Sequence, residues 1–202
     1  MNAEFDITGI RLESDRLILK EWKLSDLDDF YEYCRVPGVG EMAGWVHHPN
    51  IEESRKRLQH FIDEKHTFAI VFKENNKVIG SIGLDKYGSE DKLTEFTNYQ
   101  GREIGYVLSK DYWGKGIMPE AVHTVINFLF NELDFDFLLC GHFDNNPRSR
   151  RVQEKLGFKP YRKLIFDTHL NTKEPGRLNL LLNPNKDIKL VFSHPETLII
   201  NQ

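Results

Sequence analysis

The stretch EIGYVLSKDYWGKGIMPEA, residues 103–121, decides the reading of this 202-residue chain. Residues 103–108 are rich in β-formers and read as a strand. Trp113, Gly114, Lys115 and Gly116 make a turn. Pro119 suits the first position of a helix, where a missing N–H costs nothing. Val122, Val125, Ile126, Leu129 and Leu133 then recur at helical spacing as one apolar stripe. A glycine-rich turn leading from strand to helix can hold an anion. Its backbone approaches a ligand closely because glycine has no side chain. The N–H groups of the first helical turn add to the positive end of the dipole. The candidate donors are the amides of Lys115, Gly116, Ile117 and Met118. Pro119 has none, and Lys115 adds a mobile charge. The same Gly-x-Gly also serves as a plain tight turn, and on that pair alone both readings stand. The spacing is neither the GxxxxGK(S/T) of a P-loop nor the GxGxxG of a dinucleotide fold.

Upstream, residues 16–22 read as a first strand. Ser25 is expected to cap a helix, with Asp28 at its positive end and Leu27, Phe30, Tyr31 and Cys34 on its apolar face. Phe30 and Tyr31 read as core. Asn50 and Glu53 open a second helix in an approximate capping box, with Leu58, Phe61 and Ile62 facing inward. Residues 68–72 and 77–84 form a hairpin around Asn75 and Asn76. Residues 86–101 are expected to be a polar loop. Downstream, residues 137–143 form an apolar run that fits a strand buried on both faces. Asn146 and Pro147 open a short helix that Gly157 stops. The order β α α β β β α β α, with one or two strands to follow, predicts a mixed α/β sheet with helices on its faces. In the tail, residues 188–192 fit either an extra strand or a flexible extension.

Composition narrows the function. With 40% hydrophobic and 29% charged residues the chain is an ordinary globular protein. A net charge of −4 argues against a dedicated nucleic-acid binder, which needs a cationic surface. The two cysteines, Cys34 and Cys140, have no metal-ligand spacing, and the eight histidines contain no HExxH. No metal is expected. Residues 1–9 lack a basic start followed by an apolar core, and no apolar run is long enough to span a bilayer. A cytoplasmic location without membrane contact is the expectation.

The residues around the turn resemble the acetyl-CoA motif of the GNAT superfamily, and more narrowly its RimJ/RimL-like ribosomal-protein N-acetyltransferase branch. Three further segments resemble the same branch. ESDRLIL at 13–19 is similar to its opening strand. Trp45 and His48 followed by Glu52 and Glu53 are similar to its "W-x-x-H…E-E" entry to the second helix. Asn146 through Ser149, followed by EKLGF at 154–158, is similar to its "N-x-x-S…E-K-L-G-F" helix. The resemblance spans roughly residues 10–182. It implies a GNAT domain over residues 1–183 with a C-terminal extension at 184–202. The implied fold is a mixed, mostly antiparallel sheet of about seven strands and about four helices, splayed between the strands at 103–108 and 137–143. Acetyl-CoA would lie in that splay, its pantetheine arm on the backbone of Val107 and Leu108. Its pyrophosphate would rest on Lys115, Gly116, Ile117 and Met118, with Trp113 and Gly114 also among the cofactor-binding residues. A homodimer is common in the family.

The implied reaction moves an acetyl group to a primary amine by direct attack, the amine being a protein N-terminus or a small molecule. The attacking amine must be neutral, and a carboxylate can take its proton directly or through water. Glu103 stands where the resemblance often puts that base, and it is equally a strand-end charge. Asp85 and Glu41 are weaker candidates. The amide of Val107 or Leu108 can stabilise the thioester oxygen as charge develops. Ser149 resembles the serine that serves the departing sulfur in this branch, and it also sits in a first helical turn. Asn146 can cap the helix and contact CoA. Arg148 and Arg151 are either partners of the 3′-phosphate or solvated charges. Trp45, His47 and His48 line an acceptor pocket or simply a loop. Two departures stand out. Met118 replaces a small residue, and Gln153 stands seven residues after Asn146, where many relatives use a tyrosine acid. The competing reading is a non-catalytic acyl-CoA-binding module whose tail meets a partner.

Overall fold

The computed structural model of the chain describes residues 1–87 and 93–190 and the backbone of 198–201. It packs as two compact units. One comprises Phe5–Leu84 with Tyr106–Val125, and the other Met1–Glu4, Asp85–Gly105 and Ile126–Gln202. The strands are mostly antiparallel and alternate with helices, as the mixed α/β order predicts. No helix among the described residues is long and apolar enough to cross a membrane.

In the first unit, strands β1 (Leu12–Glu13), β2 (Leu17–Lys20), β3 (Thr67–Phe72) and β4 (Lys77–Asp85) pair antiparallel in chain order. The β3–β4 hairpin turns at Asn76, whose φ is 56°. Helices α1 (Leu27–Cys34) and α2 (Ile51–Glu64) lie between β2 and β3 in the chain. Their apolar faces meet Trp22, and the Trp22 and Phe30 rings stand edge to face at 5.0 Å. Asn50 caps α2 as expected, its Oδ1 accepting the Glu53 N–H at 3.1 Å. Ser25 does not cap α1. It lies inside a 3-10 turn, Leu24–Asp26, and Asp26 serves this corner by accepting the Lys23 N–H at 2.9 Å. The buried residues of α1 are Leu27, Phe30, Tyr33 and Cys34, so Tyr33 rather than Tyr31 enters the core; the two tyrosines flank the 27–30–34 stripe on opposite sides, and packing takes Tyr33. Tyr31 stays half-buried under the Arg35 guanidinium.

The central strand β5 (Gly101–Leu108) begins in the second unit and ends in the first. At its far end a Cβ on Gly80 would collide with the carbonyl oxygen of Val107, so β4 carries no side chain where the two backbones meet. In the second unit, β5 pairs in parallel with β6 (Phe137–Phe143) over Gly101↔Phe137 to Glu103↔Leu139. β6 pairs antiparallel with β8 (Lys173–Leu182), β8 with β7 (Lys159–Asp167), and β7 in parallel with β9 (Leu198–Asn201).

Helix α3 (Ile117–Asn131) starts two residues before Pro119. The proline still falls in the first turn, where its missing N–H goes unnoticed. The helix ends before Leu133, which is 39% exposed rather than part of the stripe. Helix α4 (Pro147–Lys155) stops ahead of Gly157, whose φ is +86°. The segment at 86–101 is less polar in place than in sequence. Residues 88–92 lie outside the described residues, but Tyr87, Leu93 and Phe96 enter the core. Of the tail, residues 188–190 are not strand, 191–192 lie outside the described residues, and the strand that forms is β9.

Phe96 is fully buried and stacks on Phe137 at 4.1 Å. Phe96→Ala removes that stack and leaves a cavity, so it is expected to cost about 3–5 kcal/mol of stability. A urea unfolding curve measures it, and a loss under about 1 kcal/mol would show that the segment carries little of the core.

Candidate active site

The sequence-selected residues fall into two sets. Val107, Leu108 and the turn at 113–118 belong to the first unit, and Glu103, Asn146 and Ser149 to the second.

After Leu108 the chain makes a 3-10 turn, Lys110–Tyr112, and reaches Trp113. The Trp113 indole N–H donates back to the Leu108 carbonyl at 2.8 Å, which closes the strand–turn corner. Gly114 and Gly116 take φ of +76° and +74°. A Cβ on Gly114 would meet nothing within 4 Å, and on Gly116 only an Arg16 nitrogen at 3.7 Å. Glycine is therefore required by backbone conformation, not by crowding. The Glu120 N–H bonds to the Gly116 carbonyl at 3.3 Å, which opens the helical ladder. The amides of Ile117 and Met118 precede that bond and lie at the positive end of α3. Gly114, Lys115 and Gly116 are exposed, whereas the side chains of Ile117 and Met118 are buried. Burial resolves the oddity of Met118. Its bulk goes into the core, and its backbone remains at the turn.

Three residues outside the expected set hold this turn. Arg16 donates from Nη1 to the Lys115 carbonyl at 3.0 Å and from Nε to Glu120 Oε2 at 2.7 Å. The Ser14 hydroxyl donates to Glu120 Oε1 at 2.7 Å. Burial pushes the Glu120 carboxyl up, but Ser14, the Arg16 amide and its guanidinium together hold it below the usual carboxylate range. ESDRLIL signals a strand, and nothing local in it signals a partner about a hundred residues away.

Glu103 is the third residue of β5 and is half-buried. Burial, and then the negative charge of Asp85, push its carboxyl from 4.5 up to about 7, while the Gly141 N–H draws it partly back. A carboxyl in that range exchanges protons at neutral pH. Asp85 stands exposed at the end of β4. Glu41 is a poor base by comparison. Burial raises it, but the His47 ring at 2.7 Å and the N–H of Gly38 at 2.6 Å more than offset this, so its carboxyl is lowered. His48 bonds to the Ser54 hydroxyl at 2.7 Å, and its ring lies 5.1 Å from that of Trp45. His47 and His48 thus knit the loop before α2. Among the described residues no group of three or more His, Cys, Asp or Glu could hold a metal.

Asn146 caps α4 by accepting the Ser149 N–H at 3.2 Å. One turn on, Gln153 is buried. Its amide NH2 donates to the Gly141 carbonyl at 3.0 Å and to the Ser149 hydroxyl oxygen at 3.1 Å. Its Oε1 accepts from Asn179 Nδ2 at 2.5 Å. The Gly141 carbonyl can only accept, so it fixes which end of the glutamine amide faces it. Asn179 Nδ2 also lies 3.3 Å from His142 Nδ1, which must then accept. Burial lowers the His142 pKa and favours that neutral ring. Gln153 thus occupies the tyrosine position as the hub of an uncharged network. Arg148 and Arg151 are exposed.

The acetyltransferase (GNAT) domain family matches residues 16–159, a span that holds both sets of residues. An uncharacterised N-acetyltransferase, p20, of Bacillus licheniformis is 28% identical over 154 residues, covering 73% of this chain and 82% of its own. A GNAT-family acetyltransferase structure from Bacillus anthracis superposes with a TM-score of 0.73 at 21% identity, covering 86% of this chain and 99% of that one. A ribosomal-protein-S5-alanine acetyltransferase structure from Vibrio fischeri gives 0.67 at 23% identity, covering 90% and 100%. With the family match spanning well over half of the chain and the turn, strand and α4 residues all inside it, the chain belongs to the GNAT family of acetyl-CoA-dependent N-acetyltransferases.

Proposed function

We propose that the chain moves the acetyl group of acetyl-CoA to a primary amine by direct attack, with residues 1–183 as the catalytic domain and 184–202 appended to it. The observation that carries the donor half is the turn at 113–118. Two glycines in left-handed backbone leave the amides of residues 115–118 at the positive end of α3, an arrangement that suits a pyrophosphate. Lys115, exposed beside it, supplies a positive charge. The backbone of Val107 and Leu108 is assigned to the pantetheine arm, and Asn146 to a CoA contact alongside its capping role.

The chemistry follows from the groups at hand. An alkylammonium has a pKa of roughly 10 and cannot attack until it loses a proton. Glu103, with its carboxyl near 7, is the group assigned to take that proton, directly or through a water. The amine nitrogen then bonds to the thioester carbon, and charge on the oxygen is met by the amide of Val107 or Leu108. As the C–S bond breaks, the sulfur leaves as a thiolate whose conjugate acid has a pKa of roughly 8.5. The Ser149 hydroxyl, bonded by Gln153, is assigned to hydrogen-bond it or to relay to it the second proton, the one the attacking nitrogen sheds as the amide forms. The acceptor class is a protein α-amine or a small amine. The Vibrio fischeri neighbour is named for an alanine of a ribosomal protein, which puts peptide N-termini in the test beside polyamines and aminoglycosides.

Thiol release from acetyl-CoA, read across those amines and peptides, tests the proposal. An amine that accelerates release supports it. CoA that protects the fold while no amine accelerates release would favour the binding-module reading. Gly116→Glu puts a carboxylate into the turn and is expected to abolish acetyl-CoA binding in calorimetry; an unchanged affinity removes the turn from the site. Ser149→Ala is expected to lower turnover more than acetyl-CoA binding, and an unchanged rate would leave Ser149 a helix residue only.

Glu103 gives a prediction with a definite sign. As a base it acts deprotonated, so kcat/KM should rise with pH through about 7, and Glu103→Gln should lose that limb. Its folded pKa lies above the ordinary carboxylate value, so the native state holds the extra proton between about 4.5 and 7. Stability contributed by Glu103 is therefore full below that window and declines as pH rises through it. Urea unfolding at pH 5 and pH 8 should show the difference shrink in Glu103→Gln. An unchanged difference would mean that Glu103 titrates as an ordinary surface carboxylate.

A further inference from the structure

We infer that Arg16, in the turn between β1 and β2, is a positioning residue for the pyrophosphate of acetyl-CoA: it aims the amide of Gly116 by gripping the carbonyl on the other side of the same peptide bond. The inference rests on the reading of the 113–118 turn as the pyrophosphate site.

The Lys115–Gly116 peptide is trans, as are all peptides among the described residues. In a trans peptide the C=O and N–H point in opposite directions in one plane. Arg16 Nη1 holds the Lys115 oxygen at 3.0 Å, so the Gly116 N–H is aimed away from Arg16. The peptide after Gly116 is also held, because its carbonyl accepts the Glu120 N–H at 3.3 Å. Glu120 is itself fixed. Its Oε2 takes Arg16 Nε at 2.7 Å and Nη2 at 2.6 Å, and its Oε1 takes the Arg16 N–H at 3.0 Å and the Ser14 hydroxyl at 2.7 Å. The Leu17 N–H holds Ser14 in turn, at 3.2 Å. Both peptides flanking Gly116 are thereby tied to the start of β2.

Two physical needs meet in this brace. Glycine at φ +74° supplies the shape of the turn but also the freest backbone of any residue. A ligand that had to order it would bind more weakly, and a turn already held is preorganised. The second need is electrostatic. Glu120 lies in the first turn of α3, where a carboxylate suits the helix but repels an anion docking at the same end. Arg16 cancels that charge by a two-point contact that a lysine cannot reproduce. As a part-exposed pair, Arg16 and Glu120 add little to stability by themselves, so the arrangement matters chiefly for what the turn binds.

Calorimetry with CoA, and NMR titration with pantetheine, which has no pyrophosphate, test the inference on Arg16→Gln and Arg16→Lys. The expected result is a CoA Kd raised roughly tenfold or more in both variants, the scale of losing a charge-assisted contact. The pantetheine Kd should stay within about twofold of the parent, since a ligand without the anion does not use the brace. Equal losses for the two ligands would indicate general disruption and overturn the inference. So would an Arg16→Lys variant with parental CoA affinity, because charge alone would then suffice. Arg16→Lys keeps the charge and the aliphatic stem and carries the test if Arg16→Gln fails to fold. Gly116→Glu separates the two claims. If it leaves CoA binding intact, the turn reading itself fails; if it abolishes binding while Arg16→Gln is silent, only the brace is refuted.

Discussion

β5 and β6 share three register pairs, ending at Glu103↔Leu139, and the fate of the backbone groups beyond that point shapes the second unit's polar site. A buried N–H or C=O must find a partner somewhere. Gly141, two residues past Leu139, gives its N–H to the Glu103 carboxyl and its C=O to the Gln153 amide. Main-chain groups that a continuing ladder would have consumed thus anchor two side chains instead. One is a carboxylate desolvated enough to hold its proton to about pH 7. The other positions the Ser149 hydroxyl on the first turn of α4.

The first unit uses the same logic at the opposite polarity. Its helix α3 begins with amides that precede the first helical bond, and those are donors rather than acceptors. Burial of Ile117 and Met118 fixes the helix start from below, while the Trp113 indole fixes the strand end by bonding Leu108. Gly116 between them has no side chain to pack, and Arg16 on the Lys115 carbonyl and Glu120 on the Gly116 carbonyl restrain its two flanking peptides. A bulky residue at 118 is compatible with an anion turn for this reason. The group proposed to meet the ligand there is an amide, and every residue but proline has one.

Local patterns made most of the architecture legible. Asn50 and Asn146 announced their helices because a cap is a contact over three residues, and residues 137–143 announced a buried strand by apolar length alone. Spacing decides less at the edge of a helix face. In α1, Tyr31 and Tyr33 flank the stripe of Leu27, Phe30 and Cys34 on opposite sides, and packing turns Tyr33 inward. The segment at 86–101 reads as polar because its apolar residues, Tyr87, Leu93 and Phe96, follow no period, yet each finds a place around Phe137. Of the candidate residues, the turn in the first unit and Glu103 and Ser149 in the second are visible as motif residues. Arg16 and Glu120 are not, since their pairing is non-local and each alone looks like an exposed charge. The environment of Glu103 was equally hidden, because burial and Asp85 act through space.

The displaced pKa of Glu103 has an energetic logic in the proposed reaction. Moving a proton from an ammonium near 10 to an ordinary carboxylate near 4.5 is uphill by about 7 kcal/mol. A carboxyl at about 7 reduces that to about 4 kcal/mol, and the difference of about 3 kcal/mol is what burial beside Asp85 supplies. The same quantity is a cost in the folded state above pH 7, where the carboxylate must be held charged in a partly dry place. The leaving group in the proposed reaction makes a smaller demand. A thiolate departs without a strong acid, so the Ser149 site needs a hydrogen bond more than a proton with its own pKa. An amide at 153, fixed by a backbone carbonyl, provides that orientation without a titrating group. On the proposed assignments the ionisable residue falls where the proton problem is severe, and a neutral one where it is mild.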